Sequence, residues 1–284
     1  MAEKSYVPAT SGVIPSPAGK PPVPVVGPLV SILIPCCGML EYTKLLVPSL
    51  LRHTRSPYEL IFIDIGSLDG TAEYLAGVAT IHPAIRVEVV RTPTDLGIND
   101  ACKEAVAKAR GEFLVLLNND TVVTNGWLNQ LLGLLTFSPA VGMAGPMSNY
   151  AAPPQLVETV PYRVGPKKLG KLEGRYGSSE ILVDVESVES FAREFRETNR
   201  GKWTDAERLG GFCLALKRDA LVRMGPLDSF TDLGLFDTDI LSTKARQAGY
   251  TLACCRDLFI HHFGTRTFAA GAPGSIGVGD NGRQ

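Results

Sequence analysis

Several things are missing from this chain, and each absence narrows what it can do. It has no excess of positive charge: 28 Lys and Arg face 29 Asp and Glu, for a net charge of −1. A nucleic-acid binder carries a basic footprint, so no nucleic-acid partner is expected. No uninterrupted apolar run approaches the length of a transmembrane segment. The N-terminus lacks the charged-then-apolar layout of a secretory leader. The expected location is therefore cytoplasmic, at most peripheral to a membrane through a partner. Cys36, Cys37, Cys102, Cys213, Cys254 and Cys255 include two vicinal pairs but no Cys-x-x-Cys, so neither zinc nor a disulfide framework is indicated. They read as small buried apolar residues in a reducing compartment, with a redox role for Cys36–Cys37 as the lesser alternative. No Gly-x-Gly-x-x-Gly follows the first apolar strand, which argues against a nicotinamide dinucleotide site. Pro35 to Tyr42 also lacks the Gly-rich, Lys/Arg-bearing stretch of a nucleotidyltransferase, and there is no internal repeat.

What is present is ordinary globular composition, 45% hydrophobic and 20% charged, enough for one large or two small domains. Residues 1–28 are rich in Pro, Gly, Ser and Val, and residues 269–284 are Gly-rich. Both are expected to be flexible arms, compatible with excision from a longer protein. Between them the pattern alternates. Strands are predicted at Leu29 to Pro35, Tyr58 to Asp64, Ile85 to Arg91 and Phe113 to Leu117. Helices are predicted at Leu40 to His53, Thr71 to Ala79 and Asp100 to Ala109, with Gly111 as a C-terminal stop. This rhythm predicts βαβ units, an α/β fold and a mostly parallel sheet. Residues 155–208 break it and read as an insertion or cover, with a helical run at Ser187 to Glu197. A strand at Phe212 to Lys217 follows, then helices at Arg218 to Met224 and Thr238 to Ala248. Short closing strands are predicted at Leu252 to Cys255 and Leu258 to His261.

Four clusters could carry chemistry. Leu114 to Leu117 is an apolar strand that ends abruptly in Asn118-Asn119-Asp120. These residues can simply end a strand in a turn. They also lie at the carboxyl end of a strand, where open α/β sheets bind ligands, and an acid there suits a hard divalent cation and a diphosphate. Asp64 ends the second strand, followed by Gly66, Ser67, Asp69, Gly70 and Thr71. That stretch is either a capped loop or a pocket in which Asp64 meets a base or ribose. Asp237 and Asp239 open a helix, where they favour its dipole; a carboxylate held in an apolar setting could alternatively accept a proton from a hydroxyl. His261-His262 follow an apolar strand, and Arg266 comes soon after. Both His can be partly buried and bonded to backbone. If one is a metal ligand, alternation along a strand allows at most one, and Arg266 could hold phosphate oxygens.

The order of these motifs resembles family 2 glycosyltransferases of the GT-A fold. The matching stretches are Val30 to Pro35, Asp64 to Thr71, Leu96-Gly97, Ala109 to Glu112, Leu117 to Thr121, Gly145 to Gln155, Gly210 to Phe212, Ala245 to Tyr250 and His261 to Phe268. The resemblance covers about residues 29–268. It implies a Rossmann-like nucleotide-binding half at 29–150 and an acceptor-side half at 151–268. The activity implied is inverting transfer of a sugar, most simply from a UDP-sugar, with Mn²⁺ or Mg²⁺. The acceptor would be a glycan, a lipid-linked molecule or a protein, as in cell-surface polysaccharide biosynthesis. By position, Pro35, Asp64, Gly66, Ser67, Asp69, Leu96, Gly97, Asn118, Asn119, Gly210, Gly211 and Arg266 would surround the donor. Asp120 and His261 or His262 would hold the metal.

The chain departs from the family pattern in places. Cys36-Cys37-Gly38 replaces the usual Tyr-Asn after the first strand, and Asp95 and Lys103 stand where Asn is usual. The base motif, normally Glu-Asp, reads Asp237-Thr238-Asp239, with Thr238 at the base position of a gapless alignment. Asp239 is the favoured base and Asp237 the other candidate. A catalytically silent nucleotide-sugar or glycan-binding module is the competing expectation.

Overall fold

The computed structural model describes residues 4–5, 27–81, 84–92, 98–162, 164–166, 181–226 and 237–264. The elements in chain order are β1 (Lys4–Ser5), β2 (Val30–Cys36), α1 (Leu40–His53), β3 (Tyr58–Ile65), α2 (Thr71–Ile81), β4 (Val87–Thr92), α3 (Ile98–Lys108) and β5 (Phe113–Leu117). There follow β6 (Thr121–Val122), α4 (Trp127–Phe137), β7 (Val141–Met147), β8 (Val164–Pro166), β9 (Ile181–Val183), α5 (Val185–Asn199) and β10 (Lys202–Asp205). The last are β11 (Cys213–Lys217), α6 (Arg218–Arg223), α7 (Thr238–Gln247), β12 (Thr251–Phe259) and β13 (His261–His262).

Among the described residues nine strands form one sheet in the order β1-β10-β12-β7-β11-β5-β2-β3-β4. The β4-β3-β2-β5 block is parallel, as is β7 with β12, whereas β10 and β11 run antiparallel to their neighbours. The chain leaves β2 outward through β3 and β4, then returns to β5 on the other side of β2. This reversal opens a crevice at the carboxyl ends of β2 and β5, the place where α/β sheets bind ligands.

Strand alternation explains the layers. Ile32, Ile34 and Phe62 pack in one buried cluster with Leu46 and Leu50 of α1, Leu75 of α2 and Trp127 and Leu131 of α4. Leu33, Ile61, Ile63, Leu114 and Leu116 pack in the other with Ala101 and Ala105 of α3, Leu221 of α6 and Leu241 of α7. Strands buried on both faces read as continuous apolar runs, which is why β2, β3 and β5 were legible.

Four expectations change. Lys4–Ser5, inside the predicted flexible arm, forms an edge strand against β10. The predicted insertion at 155–208 contributes β10 to the central sheet, and its helix α5 packs on β12. The two predicted closing strands are one strand, β12, because Asp257 is buried and accepts the Gly201 amide at 2.7 Å instead of breaking the run. Gly111 is required by close packing rather than by a helix stop: a Cβ there would lie 2.5 Å from the Ser31 amide nitrogen of β2. Residues 269–284 lie outside the described residues.

Candidate functional site

The loops after β2 and β3 are stitched to each other at the crevice. Gly38 and Met39 both take positive φ, 66° and 62°, turning the chain sharply from β2 into α1. The Gly38 amide donates to Ser67 Oγ at 2.8 Å, and the Leu40 amide donates to Asp69 Oδ2 at 2.9 Å. Asp69 Oδ1 accepts from the Thr71 amide and hydroxyl at 3.2 and 2.6 Å. Asp69 therefore serves the first turns of two helices at once, a structural use of a residue expected at the donor. Burial alone would raise its pKa, but the hydrogen bonds from Thr71 and the Leu40 amide outweigh it and hold the carboxyl below its usual range. Gly66 turns the chain out of β3 with φ of 59°. Pro35 is buried on β2 beyond Leu33, the last residue paired with β5, so its missing N–H costs no ladder bond on that side.

Asp64 is fully buried at the carboxyl end of β3. Its Oδ1 accepts the Ser67 amide at 3.1 Å. Its Oδ2 has no hydrogen-bond partner, although Arg91 Nε of β4 lies 3.3 Å away as an ion-pair contact. Arg91 is the neighbour of Asp64 in the β3–β4 register, and its side chain is half exposed. The thiols of Cys36 and Cys37 are both pushed up, by burial first and then by the charges of Asp64 and Asp69, which disfavours a reactive thiolate.

At the end of β5 the three polar residues have separate uses. The Asn118 amide donates to the Phe212 carbonyl at 2.9 Å. Asn119 Nδ2 donates to Thr43 Oγ1 at 3.0 Å and to the Gly38 carbonyl at 3.3 Å, tying β5 to the turn after β2. Asp120 is fully buried and leads into β6, which pairs with β13 so that Thr121 faces His262 and Val122 faces His261. His262 Nε2 comes within 3.4 Å of Asp120 Oδ1, while its Nδ1 is bonded to the Tyr150 carbonyl at 2.8 Å. Phe212 stacks on the His262 ring at 5.2 Å. His261 turns the other way: its Nδ1 meets Tyr162 OH at 2.9 Å among the aromatic side chains of α5 and β12. Burial, with repulsion from His262 and partial opposition from Asp120, pushes His261 down to about 4. The strand alternation thus separates the pair, and only His262 stands beside Asp120.

Gly210 donates its amide to Gln155 Oε1 at 2.6 Å, and Gln155 Nε2 donates to the Pro146 carbonyl at 2.8 Å. Buried Gln155 thereby fixes the Gly210-Gly211 loop to the end of β7. Asp237 is the N-cap of α7, accepting the Ile240 amide at 3.2 Å. Asp239 has a side chain 72% exposed and 3.5 Å from Arg208. The apolar setting expected for Asp239 is not found, because α7 buries Leu241, Ser242 and Ala245 and leaves Asp239 off that face. Leu96, Gly97 and Arg266 lie outside the described residues.

Three side chains at the site were given no role by the sequence: Arg91, which ends a predicted strand, and Tyr150 and Gln155, which lie in the matched stretch Gly145 to Gln155. Each acquires its position from strand register or from a contact remote in sequence. The arrangement offers a buried acceptor with a guanidinium at β3–β4 and an acid with an imidazole at β6–β13. It also offers a backbone loop held between β7 and β11.

The sequence model described as Glycosyl transferase family 2 matches residues 31–218. An uncharacterized protein, y4gI, of Sinorhizobium fredii is 30% identical over 227 residues, 78% of this chain and 23% of its own length. An uncharacterized glycosyltransferase of Haemophilus influenzae is 31% identical over 124 residues, 44% of this chain and 48% of its own. The chain thus spans less than half the length of each of these relatives. Among solved structures, a mannosyltransferase of Pyrobaculum calidifontis in complex with GDP-Man and Mn²⁺ aligns with a TM-score of 0.55 at 19% identity, over 87% of this chain and 60% of that one. GalNAc-T7 with UDP, GalNAc and Mn²⁺ aligns with a TM-score of 0.58 at 19% identity, over 89% and 46%. These likenesses show the GT-A architecture, and the extent of the sequence match shows that this chain belongs to glycosyl transferase family 2.

Proposed function

We propose that this chain transfers a sugar from a nucleotide-diphosphate donor to a hydroxyl of a glycan, lipid-linked or protein acceptor, by an inverting displacement with UDP as the carrier. The observation that carries the reading is the pairing of Asp120 with His262. His262 Nε2 is buried without a hydrogen-bond partner and lies 3.4 Å from Asp120 Oδ1. A carboxylate oxygen with an imidazole nitrogen suits Mn²⁺ better than Mg²⁺, which takes oxygen ligands. Among the described residues no third His, Cys, Asp or Glu joins them. Asp120 and His262 would be the residues that hold the cation. When bound, the cation supplies positive charge against the departing diphosphate. The Mn²⁺ and nucleotide sugar held by the mannosyltransferase of the same fold support this reading.

One of those fold relatives holds GDP-Man and the other UDP, so nucleotide choice must rest on this chain. Asp64 Oδ2 offers an acceptor, and Arg91 a donor beside it. An imino N–H next to a carbonyl meets that pair; uracil, thymine and guanine have one, and cytosine and adenine do not. Uracil carries a carbonyl on each side of its N–H, so it serves Arg91 in either orientation.

In the displacement, the acceptor oxygen bonds to the anomeric carbon as the bond from that carbon to the diphosphate oxygen breaks. The electron pair leaves with the nucleoside diphosphate, and the acceptor proton passes to a carboxylate. Asp237 is the better candidate for that proton, since Asp239 faces solvent and Arg208. The same exposure favours a second reading, a silent module that binds donor without turnover.

Titration calorimetry with UDP, GDP, CDP and dTDP, each with and without Mn²⁺, tests the proposal. Metal-dependent binding of UDP is expected. Binding of none of them would overturn the donor site.

A further inference from the structure

Tyr150 is 52% exposed, yet almost everything around it is fixed. Its carbonyl accepts His262 Nδ1 at 2.8 Å, and its amide donates to Ser148 Oγ at 3.4 Å. The preceding residue, Asn149, bonds the His262 backbone twice, at 2.9 and 3.0 Å. The phenol ring meets the His262 ring edge to face, with centroids 5.6 Å apart. The ring also lies on Gly264: a Cβ there would come within 3.1 Å of ring carbons, and Gly264 takes a φ of +90°. Backbone and ring are therefore anchored while about half of the residue's surface stays open.

Sheet order says what that surface faces. Asp64 and Arg91 lie on β3 and β4, Asp120 follows β5, and Tyr150 follows β7. The steps β3-β2-β5-β11-β7 place the ends of β3 and β7 about 19 Å apart, at roughly 4.8 Å per strand. Tyr150 thus stands past the Asp120–His262 pair from the base end. A ligand there lies beside that pair, on the side away from the base.

We propose that Tyr150 is a stacking platform for a pyranose ring of the acceptor. This rests on the transferase reading and extends it to a carbohydrate acceptor. A pyranose presents C–H groups on one face and hydroxyls around its rim. A fixed phenol presents a π-face and one hydroxyl at its edge, so the two surfaces match.

The test is ligand-observed NMR titration of the whole chain, with Mg²⁺ and UDP present. The probes are the methyl pyranosides of glucose, galactose, mannose and N-acetylglucosamine. At least one should bind, with saturation transfer strongest on its ring C–H protons. Tyr150→Ala should weaken that binding about tenfold, and Tyr150→Phe or Tyr150→Trp should retain it within about threefold. Tyr150→Ala keeps the carbonyl that accepts from His262 but removes the ring packed on it, so UDP affinity is measured for every variant and pyranoside binding is compared at saturating UDP and Mg²⁺. Pyranoside binding unaffected by Tyr150→Ala, or no pyranoside binding at all, overturns the platform. UDP affinity in the same samples reports separately on the donor reading. Tyr150-dependent pyranoside binding without UDP binding would keep the platform and sink the donor site.

Discussion

Asp120 and His262 face each other across a ladder only two residues long, β6 on β13, with Asp120 Oδ1 and His262 Nε2 3.4 Å apart. Nothing in their immediate sequence requires the meeting. It follows from β12 running parallel to β7 and delivering its last residues to the end of β5.

If this pair holds a cation with the donor's diphosphate, removing the charge should remove the metal effect. Asp120→Asn keeps the shape, and the Asp120 carbonyl still accepts the Phe263 amide at 3.0 Å. The added affinity for UDP that Mn²⁺ confers should fall at least about tenfold, or 1.4 kcal/mol. Calorimetry with and without Mn²⁺ measures it. An unchanged metal dependence would assign the cation elsewhere.

The acid that takes the acceptor's proton can be separated from its neighbour. Asn is as good an N-cap as Asp, so Asp237→Asn preserves the start of α7 and its stability. It should nonetheless lower turnover by two orders of magnitude or more, on the scale of a general base, with UDP affinity intact. Asp239→Asn breaks only an exposed pair with Arg208, worth under about 1 kcal/mol, and should change turnover little. The reverse ranking would return the role to Asp239. Full turnover in both would exclude either as the base.

Much of the fold was legible because β2, β3 and β5 are continuous apolar runs separated by amphipathic helices. α4 and β7 were not. Trp127–Phe137 buries Trp127, Leu128, Leu131, Leu132, Leu134 and Leu135, so it carries no clear polar face to mark its period. Val141–Met147 holds two glycines and a proline, residues depleted in strands, and is recognisable as a strand only from its place between β11 and β12. At the site, the motif residues at strand ends could be read from their order. The roles of Arg91, Gln155 and Tyr150 could not, although the last two lie in the matched stretch Gly145 to Gln155, since register and a contact remote in sequence give them their neighbours. The apolar setting expected for Asp239 is absent for a local reason: position along α7 decides which acid faces solvent.

The opposite edge of the sheet carries a buried acid that should set the acid limit of stability. Glu59 Oε1 accepts from Ser31 Oγ and from the Arg110 amide, both at 2.6 Å, and Oε2 accepts from Arg86 at 2.6 Å. Burial on its own raises this carboxyl. The hydrogen bonds from Ser31, Arg110 and Arg86, with the Arg86 charge, outweigh it and hold the carboxyl below its usual 4.5. Below pH 4.5 the unfolded chain then binds the proton more readily than the folded one. Stability from Glu59 is complete above that pH and is lost as pH falls through the lower folded value. Glu59→Gln should cost about 2–3 kcal/mol at pH 7 and flatten the acid limb of a denaturation profile. An acid limb of unchanged steepness in Glu59→Gln would show that other carboxylates set it.

Nucleotide choice gives the sharpest test of the donor end. Asp64 is an acceptor only, so it can satisfy an imino N–H but repels the bare ring nitrogen of cytosine. Asn at this position offers both a donor and an acceptor, and its oxygen can still take the Ser67 amide now held at 3.1 Å. Asp64→Asn should therefore leave the fold intact and erode discrimination between UDP and CDP by about 1–3 kcal/mol, the scale of one bidentate base contact. Arg91→Ala acts differently, because it removes the donor to the flanking carbonyl without giving cytosine anything. UDP affinity should fall about tenfold while CDP stays as weak as before. Competition calorimetry with the two diphosphates reads both variants. If Asp64→Asn leaves the UDP-to-CDP ratio untouched, the base is recognised by other groups, and Asp64 serves only to hold Ser67 and Arg91.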